Sequence, residues 1–147
     1  MNGAAVELHA LLADPSLCGA YYVDLLDRAA IAEAASLLEY ALVAIDFKGC
    51  VDKADALDRF AQALRFPDWF GDNWDALADC LRDLSWWPAA GYVLLLDHVD
   101  DWRGHAPADC DVVIDILNDV AESWAGQRIP FWALMPLPAE LLATLAD

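Results

Sequence analysis

Gly91 opens a run of five apolar residues, Tyr92-Val93-Leu94-Leu95-Leu96, that Asp97 closes. The run has strand length and no polar side to turn to water, so both of its faces must be covered by other parts of the chain. Leu42 to Phe47, interrupted only by Asp46, and Ile129 to Met135, broken by Pro136, read as buried strands of the same kind. Helical periodicities lie between them. Leu57, Phe60, Ala61 and Leu64 recur at i, i+3, i+4 and i+7 behind Asp52 or Asp55, either of which can cap the helix, and Pro67 stops it. A second helix follows the Gly71-Asp72-Asn73 turn and runs to about Leu84. Val112, Val113, Ile116, Leu117, Val120 and Trp124 repeat with helical period after Asp109, and Gly126 ends them. Buried strands separated by helices need right-handed crossovers and a parallel sheet, which makes the fold class α/β.

The rest of the chain extends this pattern. Tyr21 to Leu25 reads as a short strand, and Ala29 to Glu39 as a helix with Ile31, Ala34, Ala35 and Leu38 on one side. Residues 1–19 carry a weak helical pattern around Leu8, Leu11 and Leu12, then a turn at Asp14-Pro15-Ser16 and Gly19. Trp102 to Pro107 is expected to be an irregular link, and Ala139 to Leu145 a short terminal helix. With 147 residues and no repeats, low-complexity tracts or Ser-rich linkers, a single domain is expected. No stretch is long and apolar enough to span a membrane, and Met1 to Ala13 lacks the cationic lead of a secretory signal, so the expected compartment is the cytoplasm.

Twenty-five acids against eight bases give a formal net charge of −17. Such a surface repels nucleic-acid phosphates; its complement is a cationic partner, unless the charge serves only to keep an apolar, Trp-rich chain in solution. The cysteines at 18, 50, 80 and 110 form no CxxC pair and are expected as free thiols at helix and core positions. His9, His98 and His105 stand in no HExxH motif and beside no GxSxG serine, and no Gly-rich phosphate loop is present. No catalytic residue, metal site or cofactor is therefore assigned. The nearest enzyme-like constellation is Asp97, His98 and Asp100 at a strand end, where a metal-dependent hydrolase would place its ligands. Asp75 and Asp79 make a poor glycosidase pair, because on one open helix face nothing separates their protonation.

Chemistry concentrates in Phe66-Pro67-Asp68-Trp69-Phe70-Gly71-Asp72-Asn73-Trp74-Asp75-Ala76-Leu77-Ala78-Asp79-Cys80-Leu81-Arg82-Asp83, an aromatic turn followed by a capped helix. At ~100° per residue, with Asp75 as zero, Asp79 falls near ~40° and Asp83 near ~80°, and Asp72 near ~60° if the helix begins that early. Leu77, Leu81 and Leu84 fall between ~180° and ~240°, on the opposite side. The acids must therefore face outward. Aspartates at i, i+4 spacing repel and Asp is a poor helix former, so stability does not account for this stripe. Aromatics beside a charge cluster, here Trp69 and Trp74, are the composition of a binding patch.

From Pro67 to Leu81 the order Pro, x, aromatic, aromatic, Gly, acid, Asn, x, Asp, Ala, Leu, x, Asp, Cys, Leu resembles the signature of the barstar family, the intracellular inhibitors of the ribonuclease barnase. The resemblance takes in residues 41–147 and leaves residues 1–40 as an N-terminal extension packed on the same domain. It implies a barstar-like three-layer fold, in which a small, mainly parallel sheet of about three to four strands is covered by helices. It also implies a non-enzymatic immunity protein whose helix and preceding loop block the active site of a basic ribonuclease or toxin nuclease, one to one, by a chain that is monomeric when free. Neither nucleic acid nor membrane is a partner on this reading.

The resemblance also implies roles. Asp79 would be the deepest carboxylate and phosphate mimic, Asp75 the second acidic anchor, Trp69 the aromatic that stacks in the active site, and Asn73 the helix cap. Asp72, Trp74 and Asp83 belong to the same face, and Glu122, or alternatively Asp119, supplies an acid from the later helix. Two positions depart from the family: Ala78 stands where a large aromatic is usual, and Arg82 where a small polar residue is, placing a cation toward a cationic partner. Trp74, Trp86 and Trp87 can supply replacement contact area, for a related nuclease other than barnase. The alternative function is a generic acidic protein-binding module.

Overall fold

The computed structural model describes residues 3–145, with side chains from residue 8 onward. In chain order the elements are α1 (Gly3–Leu12), β1 (Gly19–Asp24), α2 (Arg28–Leu37), β2 (Ala41–Asp46), α3 (Lys53–Leu64), α4 (Trp74–Asp83), β3 (Tyr92–Asp97), α5 (Val99–His105), α6 (Pro107–Ala125), β4 (Phe131–Leu137) and α7 (Ala139–Leu145). The strands form one four-stranded sheet in the order β1-β4-β3-β2, and every pairing is parallel.

Alternation along the two central strands builds two cores. Tyr92, Leu94 and Leu96 of β3, with Phe131, Ala133 and Met135 of β4, enter the larger core beside Leu57, Phe60, Leu77, Leu81, Leu117 and Trp124 from α3, α4 and α6. Val93, Leu95, Trp132 and Leu134 point the other way, onto Leu12, Ile31, Ala34 and Ala35 of α1 and α2. The uninterrupted apolar runs thus follow from burial on both faces. Before residue 41, β1 adds a strand to the sheet, and α1 and α2 cover the second face. Tertiary hydrogen bonds tie them down: Trp132 Nε1 donates to the Leu12 carbonyl at 3.0 Å and the Ala20 amide to Asn118 Oδ1 at 2.8 Å.

Two sequence expectations need correction. Trp102 to Pro107 is no irregular link: Val99–His105 forms α5, whose Trp102 is fully buried and stacks on Phe47 at 5.3 Å, and Pro107 starts α6 at a position where its missing N–H costs nothing. A seven-residue helix carries too little periodicity to read between polar residues. Nor does Pro136 break the last strand. β4 pairs with β3 only as far as Leu134, so Pro136 lies where one flank of the strand is already open, while its partner on β1 is Val23.

Candidate functional site

The segment before α4 is an aromatic stack with one exposed member. α3 ends in a left-handed residue, Arg65 at φ 54°, and the Phe70 amide donates to the Pro67 carbonyl to close the turn that follows. Phe66 packs on Phe70, with ring centroids 4.9 Å apart, and edge-on to Trp86 at 6.0 Å. Trp69 stands on this base, edge-on to Trp86 at 6.3 Å, and remains 59% exposed. Trp86 is fixed in turn by donation from Nε1 to the Leu64 carbonyl at 3.0 Å.

Asn73 begins α4 in extended geometry, accepting at Oδ1 from the Ala76 amide at 2.7 Å, and its Nδ2 donates to the Gly71 carbonyl. Leu84, left-handed at φ 45°, ends the helix. Leu77, Cys80 and Leu81 are buried, while Asp75, Asp79, Arg82 and Asp83 are all exposed. The acidic stripe therefore looks outward, as the helical wheel requires. Asp72 is not on the helix. It precedes the cap with a left-handed φ of 52°, so its alignment with the stripe by helical spacing does not hold.

α4 is anchored from behind, because Trp124 of α6 donates Nε1 to the Leu81 carbonyl at 2.8 Å and packs on Tyr92 at 5.2 Å. Trp87 packs on Tyr92 as well, and the Tyr92 hydroxyl donates to the Trp87 carbonyl. Trp86 and Trp87 are thus half-buried and packed against the core behind the site. Trp74 is half-buried, with Lys53 Nζ 5.0 Å above its ring, a cation–π contact that its sequence position did not signal. Glu122 and Asp119 are both exposed on α6.

The carboxylates of Asp75 and Asp79 make no hydrogen bond or ion pair among the described residues, and Asp83 accepts only from Ser85 Oγ, at 3.2 Å. This is an unneutralised face. Directly beneath it, the Cys80 thiol is pushed up to about 11 by burial, with Asp79 and Asp83 adding to the effect.

The constellation at the strand ends is differently committed. Both oxygens of Asp97 are held by Arg28, at 2.8 and 2.7 Å, and His98 Nδ1 turns to Asp46 Oδ1 at 2.7 Å. The Asp46 carboxyl is held below its ordinary range by the Lys48 amide and by His98. Asp100 shares a pocket wall with Asp97 and His98, yet no group of three His, Cys, Asp or Glu among the described residues is arranged to hold a metal ion.

The family model of barstar, the barnase inhibitor, matches residues 40–136, well over half of the chain. The chain belongs to the barstar family. The match spans β2 through nearly all of β4 and includes the aromatic loop and α4; α1, β1 and α2 lie outside it. No curated protein matches the chain significantly. Barstar-family proteins are inhibitors, not enzymes, and as a family bind a barnase-like ribonuclease. No helix among the described residues is long and apolar enough to cross a membrane.

Proposed function

We propose that this protein binds and blocks the active site of a basic ribonuclease or toxin nuclease in the cytoplasm, one to one, from a monomeric free state. The observation that carries this reading is the outward face of α4, where Asp75, Asp79 and Asp83 stand without cationic partners among the described residues, directly after the exposed Trp69. Carboxylates held at one-turn spacing on a rigid helix meet a cationic cleft as successive phosphates would. Asp79 and Asp75 take the central positions, Trp69 stacks beside them, and Glu122 adds a contact from α6. Asn73 acts by holding the entry of the helix. Residues 1–40 belong to the same domain, with α1 and α2 covering the second face of the sheet.

The net charge of −17 suits an inhibitor that must capture its target quickly. Long-range attraction of this kind can raise association to ~10⁸–10⁹ M⁻¹s⁻¹ at low salt. The test is inhibition of RNA cleavage by a panel of basic ribonucleases and toxin nucleases, barnase included. Stoichiometric loss of turnover with at least one is expected. Full activity of every enzyme at micromolar excess of the protein would return the acidic helix to a generic binding role.

A further inference from the structure

Arg82 is the only Lys or Arg in α4, and it lies at the edge of the acidic stripe, next to Asp75 on the helical wheel. With Asp75 at zero it falls near ~340°, between Ala78 near ~300° and Asp79 near ~40°. It is exposed, and among the described residues its guanidinium makes no hydrogen bond or ion pair, although Asp79 is only three residues away. Of the other five arginines, Arg28 is committed to Asp97, Arg59 to Asp55 and two carbonyls, and Arg103 to Tyr22, while Arg65 and Arg128 also make no side-chain hydrogen bond or ion pair among the described residues.

Helical side chains lean toward the N-terminus of their helix, so Arg82 projects over the turn that carries Ala78. Ala78 is only 9% exposed and leaves that surface low. A long side chain at 82 and a small one at 78 are complementary on one face. The fork of the guanidinium therefore has room beside Asp79 and, among the described residues, is engaged by no partner.

On the inhibitor reading, this face is dehydrated against a cationic cleft. A free guanidinium set there among cations, with its donors unsatisfied, would oppose binding at the centre of the interface. We infer that Arg82 is an attractive, specificity-determining contact, and that the ribonuclease this chain blocks presents a carboxylate opposite it, beside the cations that meet Asp79. The planar fork matches a carboxylate with two parallel hydrogen bonds. A nuclease that cleaves RNA by acid–base chemistry has reason to hold such a group, since a carboxylate among cations can serve as its general base. This inference rests on the proposed function.

The experiment measures dissociation constants for one inhibited ribonuclease of the panel against the wild type, Arg82→Ala, Arg82→Lys, Arg82→Glu and Asp79→Ala. Each Asp and Glu lining the active-site cleft of that ribonuclease is replaced in turn by Asn or Gln. Arg82→Ala is expected to weaken binding about tenfold or more and Arg82→Glu about a hundredfold or more, with Arg82→Lys between wild type and alanine because it keeps the charge and loses the fork. One amide substitution in the nuclease should abolish the difference between wild type and Arg82→Ala while leaving the effect of Asp79→Ala in place. Unchanged or tighter binding by Arg82→Ala would show that the guanidinium is a penalty or folds back on Asp79, and overturns the inference alone. Weaker binding with no coupled carboxylate overturns the acidic partner group. If the wild type inhibits no ribonuclease, the inhibitor reading fails and this inference falls with it.

Discussion

Trp86 stands edge-on beneath Trp69, their ring centroids 6.3 Å apart, and its indole N–H is committed to the Leu64 carbonyl at 3.0 Å. One tryptophan is the support and the other the contact, and substitutions separate the roles. Trp69→Ala should leave folding stability within about 0.5 kcal/mol, because the ring is mostly in water, and weaken binding to the inhibited nuclease by about 2 kcal/mol. Trp86→Ala opens a hole under the loop and strands the Leu64 carbonyl, so stability should fall by about 2–3 kcal/mol and binding with it. Urea denaturation and calorimetric titration of both variants check this. Equal losses of stability would refute the division.

Asp79 and Asp83 should differ in the same assays. Among the described residues neither carboxylate bonds to a cation, and each repels its neighbours on the stripe, so replacing either by Ala should shift stability by no more than about 0.5 kcal/mol. At the interface Asp79→Ala should cost about 2–5 kcal/mol, the range found when a buried interfacial charge pair loses one partner, the barnase–barstar complex among the measured cases. The loss should appear in dissociation. Asp83→Ala, nearer the rim, should cost about 1 kcal/mol or less, and act on association rate and salt dependence. Stopped-flow rates at two salt concentrations distinguish these outcomes. An Asp79→Ala variant that unfolds yet binds normally when folded would make the face structural.

The buried thiols predict an alkaline limit to stability. Cys50 and Cys80 are each pushed up to about 11 from 9.0, chiefly by burial, with Asp55 adding to the first and Asp79 and Asp83 to the second. The folded state thus keeps protons that the unfolded chain releases. Their contribution is fully present below pH 9.0 and is lost as pH rises toward about 11. The urea midpoint should fall across that window, and less steeply in a Cys50→Ala/Cys80→Ala variant. Thiol counting in denaturant without reductant should find four free groups, Cys18, Cys50, Cys80 and Cys110.

Much of this architecture is legible in the sequence, for a local reason. Runs such as Tyr92 to Leu96 require cover on both faces, the period of Leu57 to Leu64 requires a helix, and the spacing of Asp75, Asp79 and Asp83 opposite Leu77 and Leu81 sends the acids outward. Each statement depends on side chains within a turn or two of one another, where backbone geometry sets directions before any tertiary contact forms. The Pro67–Leu81 signature belongs to the same class, being contiguous. What the sequence could not say concerns residues brought together from far apart. That β1 pairs with β4 and leaves β2 at the other edge is decided by which faces remain to be buried once α1 and α2 have packed on Val93, Leu95, Trp132 and Leu134. Helix α5 exists because Trp102 finds Phe47, more than fifty residues earlier. The tryptophans look alike in the sequence, and only the packing divides them. Trp86 and Trp124 spend their N–H groups on the carbonyls of Leu64 and Leu81, and Trp69 is left facing water. A local pattern fixes where a side chain points, whereas what it meets there depends on long-range contacts that no short window of sequence contains.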